Sequence, residues 1–114
     1  MPMLEIDRDG AVVHLTMNAP ERLNALSDEM LAVLIDTLDD IAQTPEIRVV
    51  TLSGRGKAFC AGHDLKQMTA LRQSDDGGAG GFKDLFDRCS RLMSRIQSMP
   101  QPVIASVHGI ATAA

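Results

Sequence analysis

The chain has no tryptophan and no tyrosine, and only three phenylalanines in 114 residues. Its core must therefore be packed from Leu, Ile, Val, Ala and seven methionines rather than from aromatic rings. Only two cysteines occur, Cys60 and Cys89, too few and too far apart for a disulfide framework. They read as reduced, buried thiols. A nucleophilic Cys60 would need a base and a thiolate-stabilising neighbour, and His63, three positions on, is the weak candidate for that part. No run approaches the apolar length of a membrane span, and "MPMLEIDRDG" has no apolar signal-peptide segment, so a soluble, cytoplasmic protein is expected. Eleven basic against fifteen acidic residues give a net charge of −4, with no basic run and no interleaved aromatics. That argues against nucleic acid as the main partner.

What is present suffices for one small domain: 45% hydrophobic residues, in a chain long enough to bury about 60% of its unfolded surface. "MLEID" (3–7) and "AVVHLTM" (11–17) read as a hairpin split by "RDG", whose Asp-Gly is a strong turn signal. His14 falls inside the second strand, with no partner at metal-ligand spacing. "NAPERLNAL" (18–26) is a loop, and Ser27 is placed to cap a helix whose first turn carries Asp28 and Glu29. Met30, Leu31, Leu34, Ile35, Leu38, Ile41 and Ala42 continue that helix at three- and four-residue steps to about Thr44. "RVVTLSG" (48–54) and "VIASV" (103–107) look like short strands buried on both faces. Between them, Phe82, Leu85, Phe86, Cys89, Leu92, Met93 and Ile96 mark a strongly amphipathic helix, ended by the prolines of "SMPQP". The glycine tract "SDDGGAGG" lacks the Lys-Ser/Thr of a phosphate loop and reads as a mobile surface loop. The order of elements is α/β with helical crossovers.

One layout occurs twice: an apolar strand, a turn of small residues, then the start of a helix. The first instance runs from Val49–Ser53 to "AGHD" (61–64), the second from Val103–Val107 to Gly109 and Ala114. Asp64 followed by Gln67 has the capping-box spacing, and Gly62 permits backbone angles that other residues resist. Helix N-termini present unpaired N–H donors and partial positive charge, so two converging on one point would stabilise an oxyanion. Taken singly, each such turn is more often packing than chemistry.

"NAPERLNALSDEM", "RVVTLSGRGKAFCAGHDLKQM" and "MPQPVIASVHGIATAA" resemble, in order and spacing, three signature blocks of the crotonase superfamily, the enoyl-CoA hydratase/isomerase family. The resemblance covers essentially the whole chain and implies a crotonase-like (ClpP/crotonase) spiral of ββα units, with residues 1–114 forming the N-terminal part of one domain. It implies an acyl-CoA substrate and, since coenzyme A belongs to that substrate, no separate cofactor and no metal. Two backbone N–H groups, those of His63 and Ala114, would form the oxyanion hole over the thioester; family members usually carry glycine where Ala114 stands. Arg22, Leu23, Asn24 and Ala25, with Ala61, Gly62, His63, Asp64, Leu65 and Lys66, would wrap the coenzyme A. Lys57 and Lys66 would face its phosphates, and Gly109 would lie in the second oxyanion turn. His108 is expected to be a strand-end residue rather than a base. The carboxylates that add water in hydratases would lie after residue 114, so the chain alone is expected to be inactive and to expose an apolar face. Full-length relatives imply a homotrimer or a dimer of trimers. The alternative function is an acyl-CoA-binding crotonase-like protein without hydratase activity. A third reading is a partner-binding α/β module in which both turns are packing.

Overall fold

The computed structural model of the chain describes residues 2–112. The expected hairpin forms, with β1 (Leu4–Asp9) and β2 (Val12–Met17) antiparallel and Leu4 opposite Met17. Its turn, however, is Gly10-Ala11, one residue later than an Asp-Gly turn: Asp9 pairs with Val12, and of the two turn residues only Gly10 takes a positive φ, 61°. Along β2 the period-two pattern buries Val13, Leu15 and Met17 on one face. The other face carries His14, whose Nδ1 is hydrogen bonded to Thr51 Oγ1 at 2.6 Å, and Thr16, paired with Ser53. His14 is thus a half-buried strand residue.

Helix α1 (Asp28–Ala42) begins where Ser27 Oγ accepts from the Met30 N–H, and it lays Met30, Leu31, Leu34, Ile35, Leu38 and Ile41 on the sheet. It ends at Ala42, two residues before Thr44, with Gln43 as its C-cap. The chain then re-enters as β3 (Val49–Gly54), parallel to β2, with Val12 opposite Val49 and Met17 opposite Gly54. A short strand that the residue pattern did not reveal follows, β4 (Ala58–Cys60), and belongs to a second sheet.

Helix α2 (Leu65–Arg72) is short and buries no side chain fully. The glycine tract is not a free loop throughout. The chain turns at Gly77 and Gly78, and α3 (Ala79–Ser98) then takes in Gly80 and Gly81. Asp76 makes this possible, because its carboxylate accepts the N–H groups of Gly78 and Gly80 at 2.9 Å each. Leu85, Cys89 and Leu92 of α3 enter the core, and Arg88 and Arg95 reach Asp28 and Asp39 of α1. Phe86 and Met93, on the same amphipathic stripe, remain 47% and 41% exposed.

The final strands depart from expectation. β5 (Val103–Ala105) pairs in parallel with β3 at the edge of the first sheet, and Ile104 is 55% exposed rather than buried. Nor does a helix start directly after Gly109: β6 (Ile110–Ala111) pairs in parallel with β4. β3 is likewise half-covered, with only Val50 fully buried. The plan is therefore a repeated strand–strand–helix unit. The opening hairpin keeps both its strands in the sheet β1-β2-β3-β5, whereas in the later units the first strands, β3 and β5, extend that sheet and the second strands pair as β4-β6.

The core lies where α1 and α3 cover β2 and β3. Replacing the fully buried Leu31 by alanine is expected to lower stability by about 2–5 kcal/mol in urea titration, whereas Ile6→Ala, on the exposed face of β1, should change it by under about 0.5 kcal/mol. The Arg55 guanidinium holds the Glu5 carboxyl below its ordinary value of 4.5, and the Gly80 amide chiefly does the same for Asp76, ordinarily 3.8. Both groups are depressed in the folded state, so their stabilisation is complete above those ordinary values. It is lost as the pH falls through the lowered ones, and the urea midpoint should drop over that acid window.

Candidate functional site

The site lies where the loop after β2 meets the loop after β4. After β2 the chain makes a single 3-10 turn at Pro20–Arg22 and then places Leu23 and Asn24 in left-handed conformation, at φ 55° and 54°. Non-glycine residues resist that region at a cost of about 1 kcal/mol or more each, so strong local contacts must hold them there. After β4 comes Gly62 at φ 85°, a value its missing Cβ allows. The two loops pair like strands. Ala61 N–H donates to the Leu23 carbonyl at 3.0 Å, Leu26 N–H donates to the Gly62 carbonyl at 2.7 Å, and Leu26 bridges to His63.

Asp64 ends this pairing and starts α2. Its Oδ1 accepts from Lys66 N–H at 3.0 Å and Gln67 N–H at 3.2 Å, while Oδ2 lies 3.7 Å from Arg22 Nη1. The capping expected of Asp64 is thus present, but the reciprocal arm of a capping box is not. Gln67 Oε1 instead accepts from the Asp28 N–H at 3.0 Å and ties the start of α2 to the start of α1.

Between the loops opens a cleft of about 220 Å³, lined by Glu21, Arg22 and Ala25 on one side and by Ala61, His63, Asp64, Leu65 and Lys66 on the other. Eight of the residues singled out from the sequence, counting Gly62 beside the lining, therefore meet at this point. Leu23 contributes its carbonyl to the loop pairing rather than a wall. Lys57 is exposed in the turn before β4 and does not line the cleft. Gly109 packs against the Lys57 carbonyl, where an added Cβ would collide with the oxygen, so its role is close approach of β6 to β4. Ala114 lies outside the described residues.

The His63 N–H has no hydrogen-bond acceptor among the described residues. Its ring meets Phe86 edge-on at 5.4 Å, and Nδ1 is buried without a partner. No hydrogen bond joins it to Cys60, whose thiol is pushed up in pKa by burial. Cys89 is raised for the same reason. A Cys60–His63 nucleophile pair is therefore not formed. His108 is not at a strand end but in the connection between β5 and β6, where its Nε2 donates to the Gly56 carbonyl at 2.6 Å. No cluster of three or more His, Cys, Asp or Glu that could hold a metal occurs among the described residues. A larger apolar cavity of about 400 Å³ lies between the sheet and α3, lined by residues such as Leu52, Phe59, Leu92 and Val103. It lacks charged groups, so the polar cleft is the candidate site. Asn24, expected with its neighbours to wrap coenzyme A, is instead fully buried beneath the loop and spends its side chain on backbone groups, two of them 31 and 34 residues away.

The chain belongs to the enoyl-CoA hydratase/isomerase family, which matches residues 12–112. It is 38% identical over 108 residues to the mitochondrial enoyl-CoA hydratase domain-containing protein 3 of Danio rerio, covering 95% of this chain and 36% of that protein. It is 39% identical over 103 residues to the 1,2-epoxyphenylacetyl-CoA isomerase of Escherichia coli, covering 90% of this chain and 38% of the relative. A crystal structure of an enoyl-CoA hydratase from Mycobacterium smegmatis superposes with a TM-score of 0.90 at 47% identity, over 97% of this chain and 42% of that one. The fold is thus crotonase-like, and the chain spans about two fifths of the length of these proteins. No helix among the described residues is long and apolar enough to cross a membrane.

Two outcomes follow. Asp64→Ala should destabilise the protein by about 1 kcal/mol through loss of the α2 cap, read by urea titration. With both thiols buried and raised in pKa, iodoacetamide at mildly alkaline pH should label Cys60 and Cys89 far more slowly in the folded than in the denatured protein.

Proposed function

We propose that this chain is the acyl-CoA-binding and carbonyl-polarising part of an enoyl-CoA hydratase/isomerase-type enzyme. The observation that carries the reading is the gathering of Arg22, Ala25, Ala61, His63, Asp64, Leu65 and Lys66 around one cleft, with the His63 N–H left without a protein acceptor among the described residues. In this reading the His63 amide and a second amide at Ala114 donate to the thioester oxygen. Negative charge developing there as an enolate forms is held by fixed dipoles that need no reorganisation. The N-terminus of α2 adds its partial positive charge from behind.

Coenzyme A runs along the cleft between the two loops, with Arg22 and Lys66 as its cationic contacts and Asp64 holding Arg22 in place. Lys57 stands farther from the cleft and would meet the phosphates only at its margin. Because the donor is a main-chain group, the His63 imidazole takes no proton. Of the two cleft carboxylates, Asp64 is committed to capping and Glu21 matches no acid/base position of the family, so this reading assigns proton transfer to neither. The chain alone therefore binds and polarises without turnover. Assembly as a homotrimer or a dimer of trimers and a cytoplasmic location belong to the same proposal.

Calorimetry with a short 2-enoyl-CoA tests it. Saturable heat is expected, weakened about tenfold by Arg22→Ala or Lys66→Ala, the scale of one charge-assisted hydrogen bond, and little changed by His63→Ala. Absence of any heat with the folded protein would sink the reading. Binding without hydration by the protein carrying its full acid/base set would favour the silent, acyl-CoA-binding alternative.

A further inference from the structure

Asn24 is a fully buried polar side chain whose bonds all go to backbone. Its Oδ1 accepts from the Ala19 N–H at 2.8 Å, and its Nδ2 donates to the carbonyls of Arg55 and Ala58 at 3.0 Å each. Both amide hydrogens are therefore used, and the bonds span three segments: the start of the β2 loop, the end of β3 and the start of β4. The fit is tight, since a Cβ added at Gly54 would lie 2.7 Å from Nδ2. This clamp fixes the loop at the point where Leu23 and Asn24 take their left-handed conformations.

From the clamp the chain runs directly into the two hydrogen bonds that hold the opposite loop, Ala61 N–H to Leu23 and Leu26 N–H to Gly62. The second bond is decisive. The carbonyl of Gly62 and the N–H of His63 belong to one planar trans peptide unit and point in opposite directions. Fixing that carbonyl on Leu26 at 2.7 Å aims the His63 N–H away from Leu26 and makes it a better donor by polarising the same unit.

We propose that Asn24 is a positioning residue for the His63 amide, acting through Leu26 and the Gly62–His63 peptide plane. The inference rests on the reading of that amide as a donor to the thioester oxygen. A merely structural role would alter stability alone. A positioning role alters the polarisation of a bound carbonyl.

The test is the carbonyl stretch of a saturated short-chain acyl-CoA, isotopically labelled at the thioester carbon, bound to the wild-type protein, Asn24→Gly and Asn24→Asp. Asn24→Gly tolerates the left-handed backbone but removes every clamp bond; Asn24→Asp keeps the acceptor for Ala19 and loses both donors. The wild type should lower the stretching frequency on binding, and both variants, shown folded by circular dichroism and saturated with ligand, should lose most of that shift. A folded, saturated variant with the full shift overturns the proposal. A saturated wild type with no shift overturns the donor reading itself, and the proposal with it. Should neither variant fold, the scalar coupling across the Leu26 N–H to Gly62 carbonyl bond in the wild type decides: its detection supports the link, and its absence in the folded protein overturns it.

Discussion

The 2.7 Å hydrogen bond from the Leu26 N–H to the Gly62 carbonyl joins two loops that are 36 residues apart in the chain, and the site exists only because they meet. Their meeting is prepared by the sheet. β2 and β3 run parallel and in register from Val12/Val49 to Met17/Gly54, so the loop after β2 and the turn from β3 into β4 leave at the same end, and β4 then carries the chain to the second loop. Ligand sites in parallel sheets gather at these carboxyl ends because helix starts and free backbone amides collect there. Here the Asn24 clamp and the Leu23–Ala61 bond complete the arrangement. The strain of two left-handed residues is offset by hydrogen bonds made away from water.

The helices reinforce the same geometry. Ser27 and Asp64 each cap a helix one residue past the Leu26–His63 bridge, so α1 and α2 start from adjacent points. Gln67 then ties one start to the other through the Asp28 N–H. α2 buries no side chain completely and is held chiefly by this polar fastening and by Met68 and Leu71 against the core. A helix anchored in that way keeps its N-terminus fixed while leaving its exposed face, including Leu65 at 75% exposure, available to a ligand.

Much of this was legible in the residues. The opening hairpin, the Ser27 cap, the α1 and α3 stripes and the "GKAFCAGHDL" turn each rest on local chemistry, and local chemistry survives folding. The misread parts depend on partners remote in sequence. β4 and β6 are three and two residues long, too short to show a period, and they are strands because they find each other. Ile104 looked buried because its neighbours are apolar, yet in β5 it stands at the edge of the sheet. Gly80 and Gly81 enter a helix against their own propensity where the Asp76 carboxylate, two residues before the Gly78 N-cap, accepts the Gly80 N–H. Asn24 looks like any loop asparagine until Arg55 and Ala58 are brought beside it.

Amide hydrogen exchange in the folded protein tests the central geometry most directly, with and without a saturating acyl-CoA. The Leu26 and Ala61 amides, both hydrogen bonded across the loops, should be protected throughout, while His63 exchanges faster than either and slows when the ligand is bound. A His63 amide already as protected as its neighbours, or one unmoved by saturating ligand, would contradict the account.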